Sequence, residues 1–133
     1  MAVFVDASAL IAIIAGEPDA DALSDRLQTD PARLCSTLSA WEATVGLARS
    51  RGLSVETARE QVQLYLRTGG ICFVVMGEAE FELAVEAFAR FGKGRHPAAL
   101  NMGDCHAYAC ARANGARLLY KGNDFSLTDI DAA

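Results

Sequence analysis

Short apolar runs alternate along the chain with longer stretches in which apolar residues recur at helical spacing. Residues 3–5 and 71–75 are rich in β-branched and aromatic side chains, which is typical of strands. Residues 19–28 place apolar side chains three or four positions apart, which predicts an amphipathic helix. The pattern as a whole predicts strands at 3–5, 34–36, 71–75 and 117–120, and helices at 8–15, 19–28, 39–51, 78–91 and 104–114.

Smaller signals complete this outline. Ser54 is expected to cap one more helix, whose stripe is Val55, Ala58, Val62 and Leu66. On helix 78–91 the expected apolar stripe is Phe81, Val85 and Phe88, which are expected in the core or on a dimer surface. Residues 92–103, with their glycines and Pro97, are expected to form a loop, and a short strand is expected near Ile130. Strands that alternate with helices predict an α/β sandwich with a mostly parallel sheet, and 133 residues suit a single domain, 1–133.

Composition narrows the class of protein. Hydrophobic residues make up 52% of the chain, which allows a substantial core, and the net charge of −5 argues against nonspecific nucleic-acid binding. No basic segment of the secretory kind precedes the first apolar run, and no apolar run is long enough to span a bilayer, so we expect a cytoplasmic protein without membrane contact. The four cysteines fit no metal-binding spacing and are expected to be small buried residues.

The most informative residues are four acids that follow strands or lie where helices begin. They are Asp6, Glu42, Asp104 and Asp124. In a parallel sheet the strand ends and the helix starts share one edge, so these carboxylates can converge there. Each also has a structural explanation: Asp6 and Asp104 suit helix N-caps, the Ser39–Glu42 spacing fits a capping box, and Asp124 suits a turn.

Convergence of the four acids would have a chemical consequence. Clustered carboxylates repel one another, so they must take up protons or bind a cation. Mg²⁺ prefers oxygen ligands, keeps several waters and needs few carboxylates. A bound Mg²⁺ lowers the pKa of water and stabilises the charge that develops when a phosphodiester is cleaved. The pattern therefore points to metal-dependent phosphodiester chemistry.

Several stretches resemble one known family, in the expected order and over nearly the whole chain. They read FVDASALIAI near the start, LSAWEATVGLAR at 38–49, LNMGDCHAYACAR at 100–112 and LLYKGNDFSLTDI at 118–130. The chain resembles the PIN-domain ribonucleases and, more narrowly, the VapC-type toxins of bacterial toxin–antitoxin pairs. The segment GDCHAYA followed by LLYKGNDF is the most specific part of this resemblance.

The resemblance implies a fold, an activity and partners. It implies the PIN α/β/α sandwich, Mg²⁺- or Mn²⁺-dependent endonucleolytic cleavage of tRNA or rRNA, a VapB-like antitoxin and a homodimer. The family's acids fall on Asp6, Glu42, Asp104 and Asp124. Asp6 and Asp104 are expected to be the principal metal ligands, with Glu42 and Asp124 shaping the site and orienting the attacking water.

Other residues and functions stay open at this stage. Ser8 can support the site or simply begin a helix, and Lys121 can meet a phosphate or be solvated. Basic residues of the loop, Lys93, Arg95 and His96, can follow an RNA backbone or be solvated; Trp41 is expected in the core. The alternative function is a PIN-like module that binds RNA or a protein without cutting. A receiver-like domain is disfavoured because no aspartate follows strand 71–75.

Overall fold

A parallel four-stranded sheet forms the centre of the molecule. The structure, a computed structural model, describes residues 1–133. Each strand pairs in parallel with its neighbours, in the order β3-β2-β1-β4. The strands are β1 (Ala2–Val5), β2 (Ala32–Cys35), β3 (Ile71–Phe73) and β4 (Arg117–Leu119). β1 is therefore central, and the residue that follows it lies in the middle of the carboxyl edge.

Helices cover both faces of the sheet. They are α1 (Ala7–Ile14), α2 (Ala20–Thr29), α3 (Thr37–Arg51), α4 (Val55–Thr68), α5 (Glu78–Phe91) and α6 (Met102–Ala113). Alternation along β1 divides the core, because Val3 and Val5 pack against α1 to α4 while Phe4 faces α5 and α6. This arrangement confirms the predicted α/β/α sandwich. None of the helices has both the length and the apolar character needed to cross a membrane.

The predicted apolar stripe of α5 does not lie in the core, which excludes one of its two interpretations and leaves the dimer surface as a prediction. Ala84, Ala87 and Phe91 are buried, whereas Phe81, Val85 and Phe88 are exposed. α5 packs against α6, whose inner face is itself rich in alanine, and small side chains on both helices allow this close approach. Two more expectations of burial fail: Trp41 on α3 is 62% exposed, and Cys72 on the edge strand β3 is also exposed.

Two helices begin earlier than predicted, and this changes the reading of two acids. The N-cap of α3 is Ser36, whose Oγ accepts a hydrogen bond from the Ser39 amide at 3.0 Å. Ser39 is therefore inside the helix, and Glu42 lies in its second turn rather than in a capping box. The N-cap of α6 is Asn101, so Asp104 is the third helical residue and not the cap itself.

The segment after β4 returns along the sheet instead of leaving it. In place of the strand expected near Ile130, a single parallel bridge joins Leu118 to Ala132. The Leu118 amide donates to the Asp131 carbonyl at 2.8 Å, and the Ala133 amide donates to the Leu118 carbonyl at 2.9 Å. The residues between β4 and this bridge consequently form a closed loop at the carboxyl edge of the sheet.

Candidate active site

The four acids singled out in the sequence come together at the carboxyl edge of the sheet. Asp6 follows β1 and Asp124 lies in the loop after β4, while Glu42 lies on α3 and Asp104 on α6. Their charges act on one another: Asp124 raises the pKa of Asp6, and both of these acids raise the pKa of Asp104. Asp6 and Asp104 in turn raise the pKa of Glu42. The parallel topology thus gathers carboxylates from four distant segments.

Asp6 is the most deeply buried of these acids, with 5% of its surface exposed. Its Oδ2 accepts hydrogen bonds from the Ser8 amide at 3.0 Å and the Ser8 hydroxyl at 2.6 Å. Asp6 is therefore the N-cap of α1, which was the structural explanation that the sequence offered for it. Burial nevertheless outweighs these bonds and raises the pKa of Asp6 above its usual value. Its Oδ1 takes part in no hydrogen bond within the protein.

Ser8 connects Asp6 to the segment after β4. The same hydroxyl that donates to Asp6 accepts a hydrogen bond from the Lys121 amide at 3.0 Å. The Lys121 ammonium is paired with Glu17 and, at 3.2 Å, with Asp19. In the protein without RNA this lysine is therefore ion-paired with two acids between α1 and α2 rather than solvated alone.

Asp104 combines a structural bond with a place in the cluster. Its Oδ2 accepts from the Asn101 amide at 3.1 Å, while its own amide donates to the Asn101 side chain at 2.9 Å. This reciprocal pair closes a capping box at the start of α6. Burial is the main reason that the pKa of Asp104 rises to about 6, and the Asn101 bond opposes it. Its Oδ1, like that of Asp6, has no partner in the protein.

Glu42 accepts no hydrogen bond, and its carboxylate lies directly against the backbone of Gly103. A Cβ atom at Gly103 would overlap that carboxylate. Burial raises the pKa of Glu42 to about 7, with smaller contributions from Asp6 and Asp104. Sequence reasoning missed Gly103; the available signal was a glycine, a poor helix former, in the first turn of a helix directly before Asp104.

A hydrated divalent cation fits this donor set. The cluster offers carboxylate oxygens, the free Oδ1 atoms of Asp6 and Asp104 among them, and the nearby Lys121 is paired elsewhere. No three histidine, cysteine, aspartate or glutamate side chains lie close enough together to chelate one ion. The arrangement therefore suits an ion such as Mg²⁺, which keeps several waters and takes few protein ligands directly.

A separate surface groove of about 600 Å³ lies between α3 and α4. Trp41, Val55 and Phe73 are among its lining residues, and most of its lining is apolar. None of the four acids lines this groove. The groove is therefore a feature separate from the carboxylate cluster, and its polar lining includes Arg59 and Arg67 but no acid.

The parallel sandwich and the acids at its carboxyl edge define a class of protein. The chain belongs to the PIN-domain family, whose model, described as "PIN domain", matches residues 3–131. Within that family it is a VapC-type protein, as the sequence resemblance indicated.

Named relatives support this placement. The chain is 39% identical over 128 residues to a protein named Ribonuclease VapC from Mycolicibacterium smegmatis, covering 96% of this chain and 97% of that protein. It is 36% identical to Ribonuclease VapC30 of Mycobacterium tuberculosis, covering 95% and 94%. The crystal structure of VapC20 from Mycobacterium tuberculosis, described as a sarcin-ricin loop cleaving toxin, superposes with a TM-score of 0.75 at 21% identity and 98% coverage of both chains. That last likeness concerns the fold.

Proposed function

We propose that this chain is a metal-dependent endoribonuclease and the toxin of a type II toxin–antitoxin pair. The observation that supports this most directly is the cluster of Asp6, Glu42, Asp104 and Asp124, in which two carboxylates keep an oxygen free of protein hydrogen bonds. Relatives named VapC ribonucleases align over nearly the whole chain. Hydrolysis of RNA phosphodiester bonds is the reaction that fits both.

All four acids belong to the proposed metal site, in two roles. Asp6 and Asp104 hold Mg²⁺ or Mn²⁺, directly or through water, with the oxygens that their helix caps leave free. The bound ion supplies a water of lowered pKa and neutralises charge on the scissile phosphate. Glu42, for whose carboxylate Gly103 leaves room, and the exposed Asp124 complete the metal site and help orient the attacking water.

The proposed substrates are structured RNAs, tRNA or rRNA, and the proposed protein partner is a VapB-like antitoxin. Cationic side chains without an acidic partner must offset the repulsion between an acidic protein and RNA. Lys93 and Arg95 meet that condition, because neither forms an ion pair with an acid. Both are exposed in the loop that leads into α6. A homodimer is also proposed, and the exposed Phe81, Val85 and Phe88 of α5 provide an apolar surface for it.

Incubation of the purified protein with total RNA, in Mg²⁺ or in chelator, tests the proposal. We expect discrete fragments that require the metal, with cleavage sites mapped by sequencing their 5′ ends. The Asp6→Asn variant should yield none, whereas Asp25→Asn, an exposed acid on α2 away from the cluster, should cut like the wild type. Tight RNA binding without cleavage would instead favour the non-cleaving module, and fragments that persist in chelator would contradict the metal requirement.

A further inference from the structure

Asp124 reaches the site on a segment without regular secondary structure. It lies between β4 and the bridge to Ala132, in residues that form turns and bends. Its own carboxylate takes part in none of the hydrogen bonds or ion pairs of this segment, which its neighbours make instead. The position of Asp124 therefore depends on how the two ends of its segment are fastened.

The end nearer β4 is fastened to the start of α1. The Lys121 amide donates to Ser8, which also donates to Asp6. Phe125, the residue after Asp124, is 2% exposed, and its ring packs 5.1 Å from that of Tyr120. These contacts hold the beginning of the segment but leave its far end to other groups.

The far end is held by the backbone bonds of Leu118 with Asp131 and Ala133 and, nearer to Asp124, by Asp129, both of whose carboxylate oxygens are engaged. The Tyr108 hydroxyl donates to Oδ1 at 2.6 Å, and Arg90 donates to Oδ2 at 3.0 Å. Arg112 approaches the same Oδ2 at 3.7 Å. The Tyr108 and Arg90 bonds lower the pKa of Asp129, so the carboxylate is charged and its hydrogen bonds are of the stronger, charge-assisted kind.

Helix α6 provides two of these partners and an acid of the site. Asp104, Tyr108 and Arg112 lie at intervals of four residues, so they share one face of the helix. The start of this face presents Asp104 to the cluster, and the rest of it binds Asp129. One rigid element thus sets the position of Asp104 and of the segment that carries Asp124.

We propose that Asp129 is a positioning residue for the metal site, which it serves by anchoring the Asp124 segment to α6 and α5. Asp129 itself contacts neither substrate nor metal. The inference rests on the proposed function, since it assigns Asp124 to the metal site. A residue that only stabilised the fold would affect metal binding whether or not Asp124 is present. The proposed role of Asp129 instead requires the Asp124 carboxylate.

A double-mutant cycle on Mn²⁺ affinity tests this route. Mn²⁺ is titrated calorimetrically into the RNA-free full chain as wild type, Asp129→Asn, Asp124→Asn and the double variant. Removal of outer partners of metal ligands typically costs about tenfold or more in affinity. We expect a loss of that size for Asp129→Asn in the wild-type background and none in the Asp124→Asn background. Asp131→Asn, whose side chain makes no hydrogen bond or ion pair, is the matched control and should bind like the wild type.

Equal losses in both backgrounds, or no loss in either, would overturn the inference. If Asp129→Asn does not fold, Tyr108→Phe replaces it, because that change removes one hydrogen bond and leaves both arginines. On the RNA that the wild type cleaves, either variant should lower kcat while KM stays within about twofold. Should the wild type bind Mn²⁺ and satisfy the cycle but cut no RNA, the proposed function fails while the positioning role stands. Absence of Mn²⁺ binding in the wild type refutes both.

Discussion

The metal-free protein is expected to lose stability as the pH rises from 5 to 8. Glu42 and Asp104 contribute a loss that can be worked out, since burial raises the pKa of Glu42 to about 7 and that of Asp104 to about 6; the raised pKa of Asp6 acts in the same direction. In the unfolded chain both groups release their protons near pH 4. Between these values the folded state binds more protons than the unfolded state. The stability contributed by the protonated groups is therefore complete below about pH 4 and is lost as the pH passes 6 and then 7.

The size of this loss follows from the two shifts. One pKa unit corresponds to about 1.4 kcal/mol, and between pH 5 and 8 the folded and unfolded states differ over about two units for Glu42 and about one unit for Asp104, which gives about 4 kcal/mol for the pair. Both side chains are partly exposed, and screening by water reduces such energies. We take about one third, which leaves roughly 1.4 kcal/mol in total. For a domain of this length, that corresponds to a fall in Tm of roughly 5 °C.

Thermal unfolding followed by circular dichroism, in chelator at pH 5, 6, 7 and 8, measures the effect. Glu42→Gln should clearly reduce the slope, because it removes the group whose titration covers most of the interval above pH 5. Glu60→Gln, an exposed acid on α4, should leave the slope unchanged. A Tm that stays constant or rises between pH 5 and 8, or an unaltered slope in Glu42→Gln, would refute the reasoning.

Three further outcomes are expected at the site. Asp6→Asn should raise the Tm in chelator at pH 8, since Asn still caps α1 without a buried charge; a variant that unfolds would mean that the carboxylate is required for folding. Gly103→Ala should lower RNA cleavage by about tenfold or more, because the added Cβ displaces the Glu42 carboxylate. For the same reason the variant should gain none of the roughly 1 kcal/mol of stability that Ala usually adds to a helix in place of Gly. Normal activity together with a raised Tm would contradict this. Ser8→Ala should lower cleavage about tenfold while Ser8→Thr restores it, and equal activity of both variants would exclude a role for the hydroxyl.

The sequence was a good guide wherever a local pattern has one structural solution. The β-branched run at 3–5 has to be a buried strand, and its alternation assigns Val3 and Val5 to one face and Phe4 to the other. Parallel pairing then places Asp6 at the carboxyl edge without further information. The approach of the four acids follows from the same geometry, whereas their catalytic roles stay a prediction.

Where a pattern has two local solutions, the sequence could not choose between them. Ser36 and Ser39 both suit an N-cap, and only the end of β2 at Cys35 selects Ser36. On α5 an aromatic stripe and an alanine stripe run side by side, and the preference for Ala84 comes from the small residues of α6, which are distant in sequence. The contact of Glu42 with Gly103 likewise joins two helices and leaves no local trace.

The three acids other than the exposed Asp124 differ in how the protein supports them, and this difference bears on metal binding. Asp6 and Asp104 lie at helix N-termini, where free amides and the helix dipole favour negative charge. Each uses one carboxylate oxygen to accept hydrogen bonds from backbone amides there. Glu42 has no such support: nothing in its surroundings lowers its pKa, and both of its oxygens lack hydrogen bonds. A cation would offset the burial of Glu42, so a bound metal is expected to deprotonate this acid. Mn²⁺ binding near pH 6.5 should therefore release a proton from Glu42, and calorimetry in buffers of different ionisation enthalpy measures it. Unchanged proton release in Glu42→Gln would show that the cation is held without this carboxylate.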